Sequence, residues 1–252
     1  ASASNPATTG LTVEKIEAVL FDAGNTIVYP DYDLIVNVLE RFGVRMEAHD
    51  LYRLDCLLKD EYNLAAASGT ELTTLWDDYW CELLNRAGVD VGVMDQIISQ
   101  LAAYNEAEEL WTEVFDEARV VLRELQAAGL TLGVVSNSDG RIEGYLQKTG
   151  LRGYFNFVVD SYLVGVEKPD PQIFQIGLQS AKASPEETVF VGDSYLTDIV
   201  GARSVGMRTV MLREALLFPR ASPQVSNNSF DCAVIASLAD LIPLVIESPV
   251  LR

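Results

Sequence analysis

A single histidine, three cysteines and few positive charges are what this 252-residue chain is short of, and each shortage excludes something. Cys56, Cys81 and Cys232 lie far apart with no CxxC spacing, which argues against a disulfide framework or a zinc knuckle and fits a reducing cytoplasm. His49 reads as a surface residue ahead of a helix. Lysine and arginine total 18 against 37 aspartates and glutamates, a formal charge of −19, so most of the surface would repel a polyanion. Nucleic acid and anionic membranes are therefore not expected partners. No apolar run approaches the roughly 20 residues of a membrane-spanning helix. The start, Ala1 to Gly10, lacks the basic and apolar regions of a signal peptide and reads as a frayed tail. With 49% hydrophobic and 22% charged residues, the chain is expected to fold as one large domain or as a domain carrying a sizeable insertion.

What is present centres on Ala18-Val-Leu-Phe-Asp22-Ala-Gly24-Asn25-Thr26-Ile27. An apolar run of strand length that ends on an aspartate and breaks into Gly-Asn puts that carboxylate at the carboxyl end of a buried strand. In an open parallel sheet that edge is where ligands bind. Three later segments repeat the design: Leu130 to Ser136 and Asn137, then Val166-Glu-Lys168-Pro169, then Thr188 to Gly192 and Asp193 with Asp198 five residues on. An acid, a hydroxyl, a lysine and two more acids share one rim, a set of parts for phosphate and divalent-metal chemistry.

In chain order, strands are predicted at Ala18–Phe21, Leu130–Ser136, Phe157–Asp160, Thr188–Val191, Thr209–Leu212 and Cys232–Ile235. Between them, helices are predicted over Asp116–Ala128, Gly140–Lys148, Pro171–Lys182 and Leu196–Val205. This alternation implies an α/β fold, a parallel Rossmann-like sheet with helices on both faces. Residues 31–112 break the pattern with about four helices, set by apolar positions such as Leu34, Val38, Leu51, Leu58, Leu83 and Leu101. They are read as an α-helical insertion between core segments 14–30 and 113–252, with residues 1–13 as a tail. Hinges are expected near Tyr29-Pro30 and from Trp111 to Phe115. Phe218 to Ser229, rich in Pro, Ser and Asn, is expected to be a surface loop.

This ordered set resembles the haloacid dehalogenase-like superfamily from about Ala18 to Ile246, and the insertion is similar to that family's type 1 cap. The resemblance implies a hydrolase. A carboxylate can attack phosphorus to give an acyl phosphate that water then cleaves, and Asp22 is the residue placed for it. Mg2+ takes oxygen ligands and keeps several waters, so Asp22, Asp193 and the Gly24 carbonyl would suffice, with Asp198 in support. As the family's lysine, Lys168 would pair with Asp22 and the transferring group. Ser136 would hydrogen-bond a phosphoryl oxygen, with Asn137 beside it and Thr26 as a further substrate contact. The expected partner is a small phosphorylated substrate, and the expected assembly a monomer or homodimer.

The departures from the family narrow the reading. The phosphatase pattern Asp-x-Asp-Gly-Thr has a second aspartate that protonates the leaving oxygen; here that place is Gly24, followed by Asn25. Loss of a general acid costs about 10² to 10⁴-fold on esters with poor leaving groups. A phosphatase of small metabolites is the leading expectation. The alternatives are a carbon–phosphorus hydrolase of the phosphonoacetaldehyde type, a 2-haloacid dehalogenase, and a catalytically weakened member that binds a phosphorylated ligand or a protein. The second would need a cap lysine as Schiff base. Lys59 is the only lysine from residue 31 to residue 112, and it reads as a solvated side chain beside Asp60 and Glu61. A dehalogenase would lack the acids of Gly192-Asp193 and Asp198. Trp76, Tyr79, Trp80, Tyr104 and Trp111, at helical spacing, read as core of the helical bundle.

Overall fold

The computed structural model describes residues 15–69, 79–218 and 230–247. The predicted tail, the loop beyond Phe218, and Leu72, Leu75 and Trp76 of the helical insertion lie outside these residues. The central sheet has six strands: β1 (Ala18–Phe21), β4 (Thr131–Ser136), β5 (Phe157–Asp160), β6 (Thr188–Gly192), β7 (Arg208–Leu212) and β8 (Ala233–Ile235). Their spatial order is β5-β4-β1-β6-β7-β8, and every pairing is parallel. A shorter antiparallel pair joins β2 (Tyr29–Pro30) to β3 (Trp111–Glu113), where the hinges were expected.

Alternation along β1 sorts the two faces of the sheet. Val19 and Phe21 pack with Val121, Leu122, Tyr145 and Leu146 from helices α5 (Asp116–Ala127) and α6 (Ile142–Lys148). Ala18 and Leu20 pack on the opposite side with Phe174, Leu178 and Ala202 from α8 (Pro171–Ala181) and α9 (Gly201–Ser204). Between β5 and α8 lies a further short helix, α7 (Ser161–Val164), which periodicity did not suggest. The helix expected over Leu196–Val205 is a π-helical turn, Tyr195–Val200, running into α9. Its wider turn brings Asp198 back toward the sheet, where its Oδ2 accepts the Ser194 amide at 2.9 Å.

Between β2 and β3 stand α1 (Tyr32–Arg41), α2 (Ala48–Ala67), α3 (Tyr79–Arg86) and α4 (Val91–Glu106). They close around their own core of Ile35, Leu39, Leu58, Leu83, Leu84 and Ile97, each at most 1% exposed. Asp31 caps α1 by accepting the Leu34 amide at 2.7 Å, and Asp90 caps α4 through Gly92. No helix among the described residues is long and apolar enough to cross a membrane.

Candidate active site

The strand order turns about β1: the chain leaves it for β4 on one side and reaches β6 on the other. The crevice outside such a reversal is where carboxyl-end side chains converge. Phe21 is in register with both Val134 and Val191, and the Asp22 amide donates to the Val191 carbonyl at 2.8 Å. That register sets Asp22 beside the end of β6 and hence beside Asp193. The turn after Asp22 is tight: the Asn25 amide donates to the Val28 carbonyl at 2.8 Å, and Asn25 holds φ 55°. Asparagine tolerates this left-handed backbone better than most residues, as its place in the motif required.

One oxygen each from Asp22, Asp193 and Asp198 lies within 4.8 Å of the others, and all three residues are buried. Lys168 binds the group together. Its Nζ donates to Asp22 Oδ1 at 2.6 Å and to Asp198 Oδ1 at 2.6 Å, so Asp198 meets Asp22 through a shared ammonium. Burial would lower the Lys168 pKa, but the charges of Asp198 and Asp22 outweigh it and the ammonium is held more firmly than usual. Burial also raises the Asp193 carboxyl, against the pull of Lys59, and pushes Asp198 up to about 6 against the pull of Lys168. A cluster with these properties favours an added cation.

Ser136, at the end of β4, is 4% exposed and lines a cavity of about 610 Å³ together with Asp22, Gly24, Asn137, Lys168 and Asp193. Asn137 has both ends of its amide engaged with the Lys168 backbone: Oδ1 accepts its N–H at 2.7 Å and Nδ2 donates to its carbonyl at 2.9 Å. In this structure Asn137 therefore positions Lys168, although it also borders the cavity where a substrate contact was expected. Thr26 departs from expectation. It is fully buried behind the turn, off the cavity wall, and its Oγ1 has no hydrogen-bond partner among the described residues.

Lys59 also departs from expectation, in the opposite direction. It is 7% exposed, with Nζ 3.3 Å from Asp55 Oδ2 and 3.8 Å from Asp193 Oδ2. Burial works against its charge, yet Asp55, Cys56 and Asp193 raise its pKa overall. The solvated reading failed because α2 lies across the acidic rim. Two further contacts fasten the same helix there, and neither was anticipated. Asn63 Nδ2 donates to the Asp193 carbonyl at 2.8 Å while its Oδ1 accepts the Tyr195 amide at 2.8 Å. Asp60 pairs with Arg213, just past β7, with both residues buried. The available signal was a run of polar residues, Asp55, Lys59, Asp60 and Asn63, on positions that keep one face of a helix. Tyr195 turns from the site and donates its hydroxyl to Asp231 at 3.2 Å. Of the aromatic residues assigned to the bundle, Tyr79 is buried in its core with Trp80 and Tyr104 against it, whereas Trp111 packs on both the bundle and the sheet.

Known proteins resemble this chain in sequence and in fold. Residues 16–206 match the family model for haloacid dehalogenase-like hydrolase. Haloacid dehalogenase-like hydrolase domain-containing protein 3 of Homo sapiens is 37% identical over 183 residues, spanning 72% of this chain and 71% of that protein. Glyceraldehyde 3-phosphate phosphatase of Methanopyrus kandleri is 29% identical over 199 residues, 79% of this chain and 84% of that protein. Among solved structures, a HAD phosphatase from Thermococcus onnurineus superposes with a TM-score of 0.57 at 25% identity, covering 93% of this chain and all of that one.

Proposed function

The chain belongs to the haloacid dehalogenase-like hydrolases, and from that membership we propose that it is a Mg2+-dependent phosphatase of small phosphorylated metabolites, working through an aspartyl phosphate on Asp22. The observation that carries this reading is the cluster of Asp22, Asp193 and Asp198 closed by Lys168 at the carboxyl edge of the sheet. A relative that is 29% identical bears the name of a phosphatase, which supports a phosphate ester as substrate.

The donor set fits the cation: three carboxylates with oxygens within 4.8 Å offer the hard ligands Mg2+ prefers. Asp22 and Asp193 would hold it with the Gly24 carbonyl, and Asp198 would support the site through Lys168. Bound there, Mg2+ supplies positive charge to the phosphoryl oxygens and so favours attack on phosphorus. Lys168 holds Asp22 in place through its contact at 2.6 Å, and Ser136 offers a hydroxyl to the transferring group. Asp22 forms the new oxygen–phosphorus bond as the ester oxygen leaves, and water later cleaves the acyl phosphate. With glycine at position 24 the leaving oxygen gets no proton from the usual place, so good leaving groups are favoured. Residues 31–112 would act as a cap over the 14–30 and 113–252 core, excluding water while the acyl phosphate stands.

The carbon–phosphorus reading needs a neutral amine to form a Schiff base. Lys59 does reach the acids, but Asp55 and Asp193 hold it charged, which weighs against that chemistry. The three acids likewise weigh against a metal-free dehalogenase. The test is hydrolysis of acetyl phosphate and p-nitrophenyl phosphate, with and without Mg2+, in wild type and Asp22→Asn. Mg2+-dependent turnover that disappears in Asp22→Asn is the expected result. Turnover that survives the substitution would sink the assignment, and no turnover at all would favour a binding member of the family.

A further inference from the structure

The acids of the site are neutralised from two sides. Lys168 approaches from the sheet and lies between Asp22 and Asp198, each 2.6 Å away. Lys59 approaches from α2 and lies between Asp55 and Asp193. Four carboxylates then face two ammoniums, with buried Glu214 a further acid near Lys59, so acids outnumber cations around the site. Asp55 does not depend on Lys59 alone, because the hydroxyls of Tyr32, at 2.6 Å, and Tyr79 also donate to it. The ammonium of Lys59 is thus left partly directed at Asp193, shielded from solvent, 3.8 Å from a carboxylate oxygen of the proposed metal site.

We propose that Lys59 is a positioning residue through which the helical insertion sets the metal affinity of the site: its ammonium competes with Mg2+ for the charge of Asp193. The inference rests on the Mg2+ reading given above. A fixed positive charge a few ångströms from a ligand oxygen, in a water-poor interior, repels a second cation far more strongly than it would in solvent. The site then holds Mg2+ more loosely than three carboxylates alone would hold it. By linkage the effect runs both ways, so Mg2+ binding weakens the contact between Lys59 and Asp193 and with it one fastening of α2.

Titration of Mg2+ alone into the 252-residue chain by calorimetry, without substrate, tests this. Lys59→Met is expected to bind Mg2+ about tenfold more tightly or better, because it removes the competing charge. Lys59→Arg, which keeps that charge, should stay near wild type. Should Lys59→Met fail to fold, Lys59→Gln, which removes the charge but keeps a donor for Asp55, is expected to show the same tightening. Asp193→Asn should abolish the binding heat and so tie the titration to this site. Equal or weaker Mg2+ binding in a folded variant that lacks the Lys59 charge, with wild type binding normally, overturns the role of Lys59 and leaves the Mg2+ reading standing. No Mg2+ binding in wild type or any variant overturns the Mg2+ reading and this inference with it.

Discussion

The indole of Trp111 stands against Gly24: a Cβ built on the glycine would lie 3.3 Å from Trp111 Cζ3 and 3.5 Å from Cη2. Gly24 is not one of the glycines with a positive φ, so the backbone itself would accept a side chain there. What the position lacks is room, since an atom pair at 3.3 Å already requires the ring to shift. Trp111 is held in turn by packing against both the sheet core and the helical core. Restoring the usual acid with Gly24→Asp alone should therefore give little. Gly24→Asp/Trp111→Leu should raise kcat/KM on an alkyl phosphate toward the roughly 10² to 10⁴-fold that a general acid supplies, with a much smaller gain on p-nitrophenyl phosphate. Equal gains on both substrates would mean that the new carboxyl does not protonate the leaving group.

Lys168 is 4% exposed and is the shared partner of two buried carboxylates. Replacing it with methionine conserves much of the stem but leaves Asp22 and Asp198 facing each other without their ammonium. Breaking a buried pair by removing one partner costs about 3–5 kcal/mol. Lys168→Met should lose that order of stability in urea unfolding at neutral pH, and turnover with it. Lys168→Met/Asp198→Asn should recover part of the stability by removing one stranded charge, while activity stays lost. A single variant as stable as wild type would show that the ion pairs contribute nothing net.

The sheet and its rim were legible because the relevant signals are local. The core strands are short and mostly apolar, and Asp22, Ser136 and Asp193 stand at or one residue past the ends of β1, β4 and β6. Lys59 was not legible. Its neighbours in sequence, Asp60 and Glu61, suggest solvent, while the groups that bury and pair it, Asp55 aside, come from the far end of the chain at Asp193. The role of Asn137 was hidden in the same way, since its amide grips a backbone 31 residues away. Thr26 failed on a more local point: it sits in the tight turn just after Asn25, which holds a positive φ, and there it is fully buried.

Glu214, two residues past β7, is 7% exposed and accepts the Tyr29 hydroxyl at 2.9 Å. Burial raises its pKa, and the opposing effects of Lys59 and the Tyr29 hydrogen bond do not cancel the rise. A carboxyl whose folded value exceeds its unfolded value of about 4.3 binds its proton more tightly in the folded state. Its contribution to stability is complete below the unfolded value and is lost as pH rises through the raised folded value. Gln at this position still accepts from Tyr29 and titrates in neither state. The difference in urea midpoint between Glu214→Gln and wild type should therefore move in favour of the variant as pH rises from about 4 toward neutrality, then level off. A difference that stays constant with pH would mean that ionising Glu214 costs the folded state nothing. One that grows in favour of wild type would mean that its carboxylate is stabilised by Lys59 strongly enough to reverse the effect of burial.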